Sequence, residues 1–114
     1  MSKLLVHITC GPENPTKAAL GFLVARTALN EGHEVSLFLA GDGVQLMRSA
    51  VLDTLVGLGT GSLREHFDAI VAASGQFYVS GKSSQGRGIT ASDLDGKSAT
   101  MAMPEKLVAL ALAA

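Results

Sequence analysis

A helical segment that is apolar on nearly every side lies between two strand-like segments, and this order constrains the fold most. Residues 16–30 carry apolar side chains around most of the predicted helix, so the helix has to be covered on more than one side. The β-rich segment Lys3–Cys10 precedes it and Val35–Ala40 follows it. Strand, helix and strand in this order predict a βαβ unit with a parallel sheet and a right-handed crossover.

The remaining chain continues the alternation. Asn14 and Pro15 are typical of a helix start, and Ser62 with Glu65 predicts a capping box at another. Further predicted elements are helices at Val44–Leu55, Leu63–Ser74 and from Pro104, strands at Gln76–Ser80 and Ala99–Ala102, and a polar loop at Ser80–Gly88. With 114 residues, the chain is predicted to be a single α/β domain, residues 1–114, with an open parallel sheet of about four strands between helices.

The first strand is predicted to be central in that sheet. Leu4–Cys10 shows little alternation between polar and apolar side chains. Parallel strands that are covered on both faces have this pattern. An edge position for this strand would contradict the prediction.

Charge and composition exclude several function classes. Nine Lys and Arg balance ten Asp and Glu, and the chain has no Trp and one Tyr, so neither a basic nor an aromatic nucleic-acid surface is predicted. The apolar run Leu107–Ala114 is too short to span a bilayer. The single cysteine cannot form an internal disulfide. We therefore expect a cytoplasmic protein with no nucleic-acid or membrane partner.

Three loops are predicted to hold the functional site, because ligands of open parallel sheets bind beyond the carboxyl ends of the strands. These loops are Cys10–Thr16, Ala40–Val44 and Ser80–Gly88. We expect them to converge on one small polar cleft near a subunit boundary. Its predicted lining is Cys10, Asn14, Thr16, Asp42, Ser80, Ser83 and Arg87.

Cys10 and Arg87 are the residues with the clearest chemistry in this set. Cys10 precedes a helix N-terminus, which attracts anions and stabilises a thiolate, so it is the candidate catalytic residue. The alternative is a small buried apolar side chain. Arg87 is the candidate anion anchor because its guanidinium is always charged and offers several donors. The alternatives for the other residues are a solvated turn for the 80–88 loop, a helix cap for Asn14 and a turn residue for Asp42.

No cofactor or metal site is predicted. Gly81-Lys82-Ser83 lacks the first glycine of a nucleotide-binding phosphate loop. Gly57, Gly59 and Gly61 follow a helix rather than a strand, unlike a dinucleotide-binding turn. His33 and His66 have no metal-ligand spacing. His7 lies on the opposite strand face from Cys10, which argues against a Cys–His dyad.

Several segments together resemble the DsrE/DsrF-like (DsrEFH superfamily) proteins. They are Leu5–Ala18 (LVHITCGPENPTKA), Glu31–Val35, Phe38–Val44 and Arg87–Ile89. The resemblance implies a flavodoxin-like α/β fold, assembly as trimers or hexamers and a cytoplasmic location. The better-known members of this family are sulfur-relay proteins that carry a persulfide on a cysteine. The resemblance also implies another strand after the last helix.

This chain departs from the relay pattern. Active members place a cysteine near the position of Ser80 or Ser83, and a serine hydroxyl cannot hold a persulfide. The sequence therefore leaves two hypotheses open. The first is a DsrE-like protein of sulfur metabolism, or an unassigned relative, that binds a small sulfur-containing or anionic ligand in an intersubunit cleft. The second is a non-catalytic binding or scaffold subunit. Both predict a homo-oligomer, because sheet edges and the apolar C-terminal segment need a partner surface.

Overall fold

Four parallel strands form the main sheet of the computed structural model, which describes all residues 1–114. The strands of the chain are β1 Lys3–Ile8, β2 Glu34–Leu39, β3 Val56–Gly57, β4 Gly61–Ser62, β5 Gln76–Ser80 and β6 Ala99–Ala102. The helices are α1 Pro15–Asn30, α2 Ser49–Leu52, α3 Leu63–Ala72, α4 Gly81–Arg87 and α5 Pro104–Ala113, with 3-10 helices at Gly41–Met47 and Ala91–Leu94. No helix combines the length and apolar character needed to cross a membrane.

The main sheet confirms the predicted α/β class, with strand order β1-β2-β5-β6 and parallel pairing throughout. The prediction that the first strand is central is wrong, because β1 lies at an edge of this sheet. Helices α1 and α5 both contact β1, so each of its faces contacts a helix, although Ile8 is the one buried residue of the strand and one edge is free. The apolar run in β1 therefore indicates that both faces contact helices; it does not indicate how many strands lie beside β1.

One face of the sheet, here called the inner face, carries most of the core. Val35, Leu37 and Leu39 on β2 share this face with Phe77 and Val79 on β5. The Phe77 ring lies 5.5 Å from Phe22 of α1 and 5.1 Å from Phe67 of α3, measured between centroids. Burial of this cluster against α1 and α3 is the main stabilising contribution to the fold.

The opposite face, here called the outer face, is more polar and is covered by α5. The register puts His7, Phe38, Tyr78 and Thr100 in one row across its four strands. Lys106 of α5 places its ammonium 4.9 Å from the Tyr78 ring centroid. Phe38 is buried here but lies outside the main core cluster. No residue of α5 is fully buried, so this helix covers the sheet without being enclosed itself.

Two local predictions need correction, and one element was missed. Residues 44–55, predicted as one helix, form the end of a 3-10 helix and the four-residue α2. The predicted loop Ser80–Gly88 is mostly α4, which starts at the Ser80 cap and ends at Gly88 in the left-handed conformation, with φ of 70°. The hairpin β3–β4 was not predicted at all. By contrast, α1 starts as expected, since the Asn14 side chain accepts a hydrogen bond from Lys17 N at 3.3 Å.

Candidate functional site

The ends of the first three long strands lie against one another, as the parallel topology requires. The Ala40 amide donates to Ile8 O at 3.0 Å, linking the first two strand ends. The Gly41 amide donates to Ser83 Oγ at 2.9 Å, linking the second to α4. We call this region the strand-end site.

Two glycines allow the loops of the strand-end site to approach this closely. A Cβ atom on Gly11 would collide with the carbonyl oxygen of Asp42, and one on Gly43 would collide with the carbonyl oxygen of Ile8. In both cases the obstacle is backbone, which cannot rotate away as a flexible side chain would. These positions therefore require glycine for packing.

Cys10 lies at the inner side of the strand-end site, partly buried against the core cluster. Both carboxylate oxygens of Glu13 accept the Gly11 amide at 2.8 Å, which holds this carboxylate near the thiol. Burial first, and the Glu13 charge second, raise the pKa of the Cys10 thiol, while a backbone hydrogen bond and Lys17 oppose the shift. The net effect is a raised pKa, which favours the protonated Cys10 thiol at neutral pH. This direction is the opposite of the thiolate stabilisation expected from the α1 N-terminus.

Ser80 and Ser83 use their hydroxyl groups to hold backbone in place. Ser80 Oγ accepts the Ser83 amide at 3.2 Å and so caps α4. Ser83 Oγ accepts the Gly41 amide. Both side chains lie at the strand-end site. The neighbouring Ser84 Oγ is buried with no hydrogen-bond partner in the chain.

The guanidinium of Arg87 also lies at the strand-end site. Its Nε donates to Asp42 Oδ1 at 3.0 Å, and its NH1 group donates to Ser83 O at 3.3 Å. The Arg87 side chain is 32% exposed and that of Asp42 is 54% exposed. The structure thus brings together Asp42 of the first 3-10 helix with Ser83 and Arg87 of α4.

Asn14 and Thr16 have other contacts. Asn14 caps α1, as one of the two interpretations of this residue predicted. Thr16 faces the β3–β4 hairpin: its Oγ1 accepts the Leu58 amide at 3.1 Å, and its carbonyl accepts from Thr60 Oγ1 at 3.2 Å. Neither residue makes a hydrogen bond to the group formed by Asp42, Ser83 and Arg87.

A single chain does not enclose the strand-end site. The chain has four surface grooves, and none of them is lined by Cys10, Asp42, Ser80, Ser83 or Arg87. One groove of about 260 Å³ lies between the loop residues Pro12 and Pro15 and the residues of α2 and the turn after it. The chain also holds no cluster of three or more potential metal ligands.

Two further cations support the strand-end site and were not singled out from sequence. The Arg48 NH2 group donates to Arg87 O at 2.6 Å, at the last residue of α4. Lys97 is buried, and its Nζ donates to Met47 O at 2.7 Å, Ser49 Oγ at 2.9 Å and Asp93 O at 2.6 Å. These residues fix the first 3-10 helix, which carries Asp42. Contacts across 39 to 50 positions of sequence leave no local pattern that could have revealed them.

Comparison with known proteins agrees with the resemblance noted above. The model of the DsrE/DsrF-like family matches residues 2–114. The chain belongs to the DsrE/DsrF-like family. Among solved structures, the YchN protein of E. coli superposes with a TM-score of 0.82 at 17% sequence identity, covering 100% of this chain and 95% of the YchN chain. No curated protein sequence matches the chain.

For this DsrE/DsrF-like chain, the family match and the structural match support different statements. The family match relates the chain to proteins of sulfur relay over almost its whole length. The likeness to YchN establishes the shared fold. The roles of Cys10, Asp42, Ser80, Ser83 and Arg87 have to be argued from the strand-end site itself.

Proposed function

We propose that this chain is a DsrE/DsrF-like protein of sulfur metabolism that binds a small sulfur-containing anion at the strand-end site. The observation that carries the proposal is the Arg87 guanidinium, held at the carboxyl ends of the strands by contacts to Ser83 of its own helix and to Asp42 of the first 3-10 helix. A guanidinium presents a planar fork of donors that suits oxyanions. Thiosulfate fits this description and also carries transferable sulfur.

The cleft is completed by a second copy of the chain in this proposal. The open strand-end site of one chain supports this, as do the apolar side chains exposed elsewhere. Leu20 and Val24 on α1 are 45% and 47% exposed, and Val108 and Leu112 on α5 are 56% and 82% exposed. Neighbouring exposed apolar side chains on each of these helices offer surface that a second chain could cover.

The oligomer is expected to be a trimer or a hexamer, as the family resemblance implies. Light scattering at micromolar concentration tests this directly. The expected mass is three or six times the 11.7 kDa of one chain. A mass of one chain would refute the intersubunit cleft.

Sulfur transfer would have to use Cys10, the single cysteine of the chain. The Cys10 thiolate would attack the outer sulfur of thiosulfate and form a persulfide, while sulfite leaves with the electron pair of the broken S–S bond. Mass spectrometry after incubation with thiosulfate is expected to show the addition of one sulfur atom. The Cys10→Ser variant serves as the control, and it should show no addition.

The second candidate function is a non-catalytic binding or scaffold subunit of the same family. Two observations favour it: Ser80 and Ser83 hold backbone amides, and the pKa of the Cys10 thiol is raised. The same experiment separates the candidates. Thiosulfate binding without sulfur addition supports the binding subunit, whereas persulfide on Cys10 supports relay.

A further inference from the structure

The Asp42–Arg87 ion pair occupies the position that the proposed anion needs. Asp42 Oδ1 lies 3.0 Å from Arg87 Nε, so a carboxylate of the chain already accepts from the guanidinium. A carboxylate and an oxyanion use the same donor fork. An incoming anion therefore has to compete with Asp42 for these donors.

Arg87 is held in place by groups other than Asp42. Its NH1 group donates to Ser83 O, and its own carbonyl accepts from Arg48 at 2.6 Å. An arginine has five N–H donors, and Asp42 engages the one on Nε. Removing the Asp42 charge should therefore leave the guanidinium in position with an additional donor exposed.

Asp42 is held as firmly from the other side. Its backbone passes so close to Gly11 that no Cβ fits between them. The Gly41 amide before it is bonded to Ser83 Oγ, and the Gly43 amide after it donates to Ala40 O at 2.9 Å. The carboxylate is therefore attached to a backbone segment that is fixed relative to α4.

We propose that Asp42 is a built-in competitor at the strand-end site, so that anion affinity is set by the exchange of its carboxylate for the ligand. This inference rests on the proposed function, because it concerns the same anion. It assigns Asp42 the role of lowering affinity, the opposite of a ligand-binding role. Bound anion would also break one of the contacts between the first 3-10 helix and α4, while the hydrogen bond from the Gly41 amide to Ser83 Oγ remains.

The test is a titration of thiosulfate, and separately of sulfate, into isotope-labelled protein, followed by the backbone amide signals of Gly41, Gly43 and Ser83. Asp42→Asn is expected to tighten binding by about two- to fivefold, the range that a half-exposed ion pair supplies. Arg87→Gln is expected to abolish binding. Asp53→Asn is the matched control, since Asp53 forms an exposed pair with Arg64 and its loss changes the net charge equally.

The possible results distinguish the competitor role of Asp42 from the proposed anion site itself. Tighter binding by Asp42→Asn alone supports the inference. Equal affinity in wild type and Asp42→Asn, with loss in Arg87→Gln, overturns the competitor and leaves the proposed function standing. Equal tightening by Asp42→Asn and Asp53→Asn reduces the effect to net charge and also overturns it. Absence of binding in every variant, Asp42→Asn included, refutes the proposed anion site together with the inference.

Discussion

Phe77 and Tyr78 are adjacent aromatic residues on β5, yet they belong to two very different environments. Phe77 points to the inner face, where it is 1% exposed and contacts aromatic rings from α1 and α3. Tyr78 points to the outer face, where it is partly exposed beneath the Lys106 side chain. The inner face is covered by two helices, the 16-residue α1 and the ten-residue α3, and the outer face is covered by the ten-residue α5 alone. Most of the stability is therefore expected to come from the inner face.

The largest expected effect compares the two aromatic residues directly. Phe77→Ala should lower the free energy of unfolding by about 3–5 kcal/mol, because it leaves a cavity among buried rings. Tyr78→Ala should cost about half of that, because its side chain is only partly removed from water. Urea unfolding of both variants measures the difference. Equal losses would show that the outer face is as important to stability as the inner one.

Hydrogen exchange tests the same contrast at the level of helices. Helix α5 has ten residues and none of them is fully buried, and helices of this length are marginal by themselves. Its amides are expected to exchange at least about tenfold faster than those at the centre of α1, a difference of about 1.4 kcal/mol in opening free energy. Assembly through α5 would remove the difference, so the measurement should be made below and above the concentration at which the protein associates.

A smaller effect is expected from the contact that ties α5 to the outer face. Lys106→Gln removes the cation above the Tyr78 ring and should lower stability by about 0.5–1 kcal/mol. Lys82→Gln is the matched control, because Lys82 is exposed and forms no ion pair. Similar losses in both variants would assign the effect to charge rather than to the contact.

The smallest expected effect concerns Cys10, which packs toward the inner side, and its exposed neighbour Thr9. Because the pKa of the Cys10 thiol is raised, its thiolate fraction at neutral pH is low, and alkylation should accelerate only at higher pH than for an ordinary thiol. A thiol introduced by Thr9→Cys in a Cys10→Ser background should react severalfold faster at pH 7. Glu13→Gln should lower the pKa and speed alkylation of Cys10, and an unchanged profile would exclude the carboxylate as a cause.

The contrast between faces also explains what the sequence could predict. The βαβ unit and the cap at Asn14 were predictable because they depend on local periodicity and on a helix-starting residue. The edge position of β1 was not, because covered faces produce the same apolar run in an edge strand as in a central one. The apolar pattern of a strand indicates which faces pack against other elements. The order of strands in a sheet depends on partners that are distant in sequence.

Helix α4 shows a second limit. The segment Gly81–Arg87 has the composition of a loop, with two glycines and two serines, and intrinsic propensity therefore predicted a loop. Tertiary contacts reverse this, since Gly41 binds Ser83 and Arg48 binds the carbonyl of Arg87. Ser80 and Gly88, which cap the two ends of α4, are residue types typical of helix boundaries.

The strand-end site was predictable to the extent that topology defines it. Placement of the three loops at one end of a parallel sheet follows from the βαβ order. The pairing of Arg87 with Asp42, 45 positions apart, does not. The raised pKa of the Cys10 thiol depends on how deeply the sulfur packs and on the Glu13 position, both of which are tertiary facts.

The close approach of Gly11 and Gly43 to neighbouring backbone has a consequence for anyone who wishes to redesign this protein. A library that varies every position of the first two strand-end loops would lose most members at these two sites, because any side chain meets a carbonyl oxygen there. Productive diversity lies instead at the exposed Thr9, Asp42 and Lys82, whose side chains can change while the backbone stays. New functional groups can thus be introduced at these three exposed positions while Gly11 and Gly43 are kept unchanged.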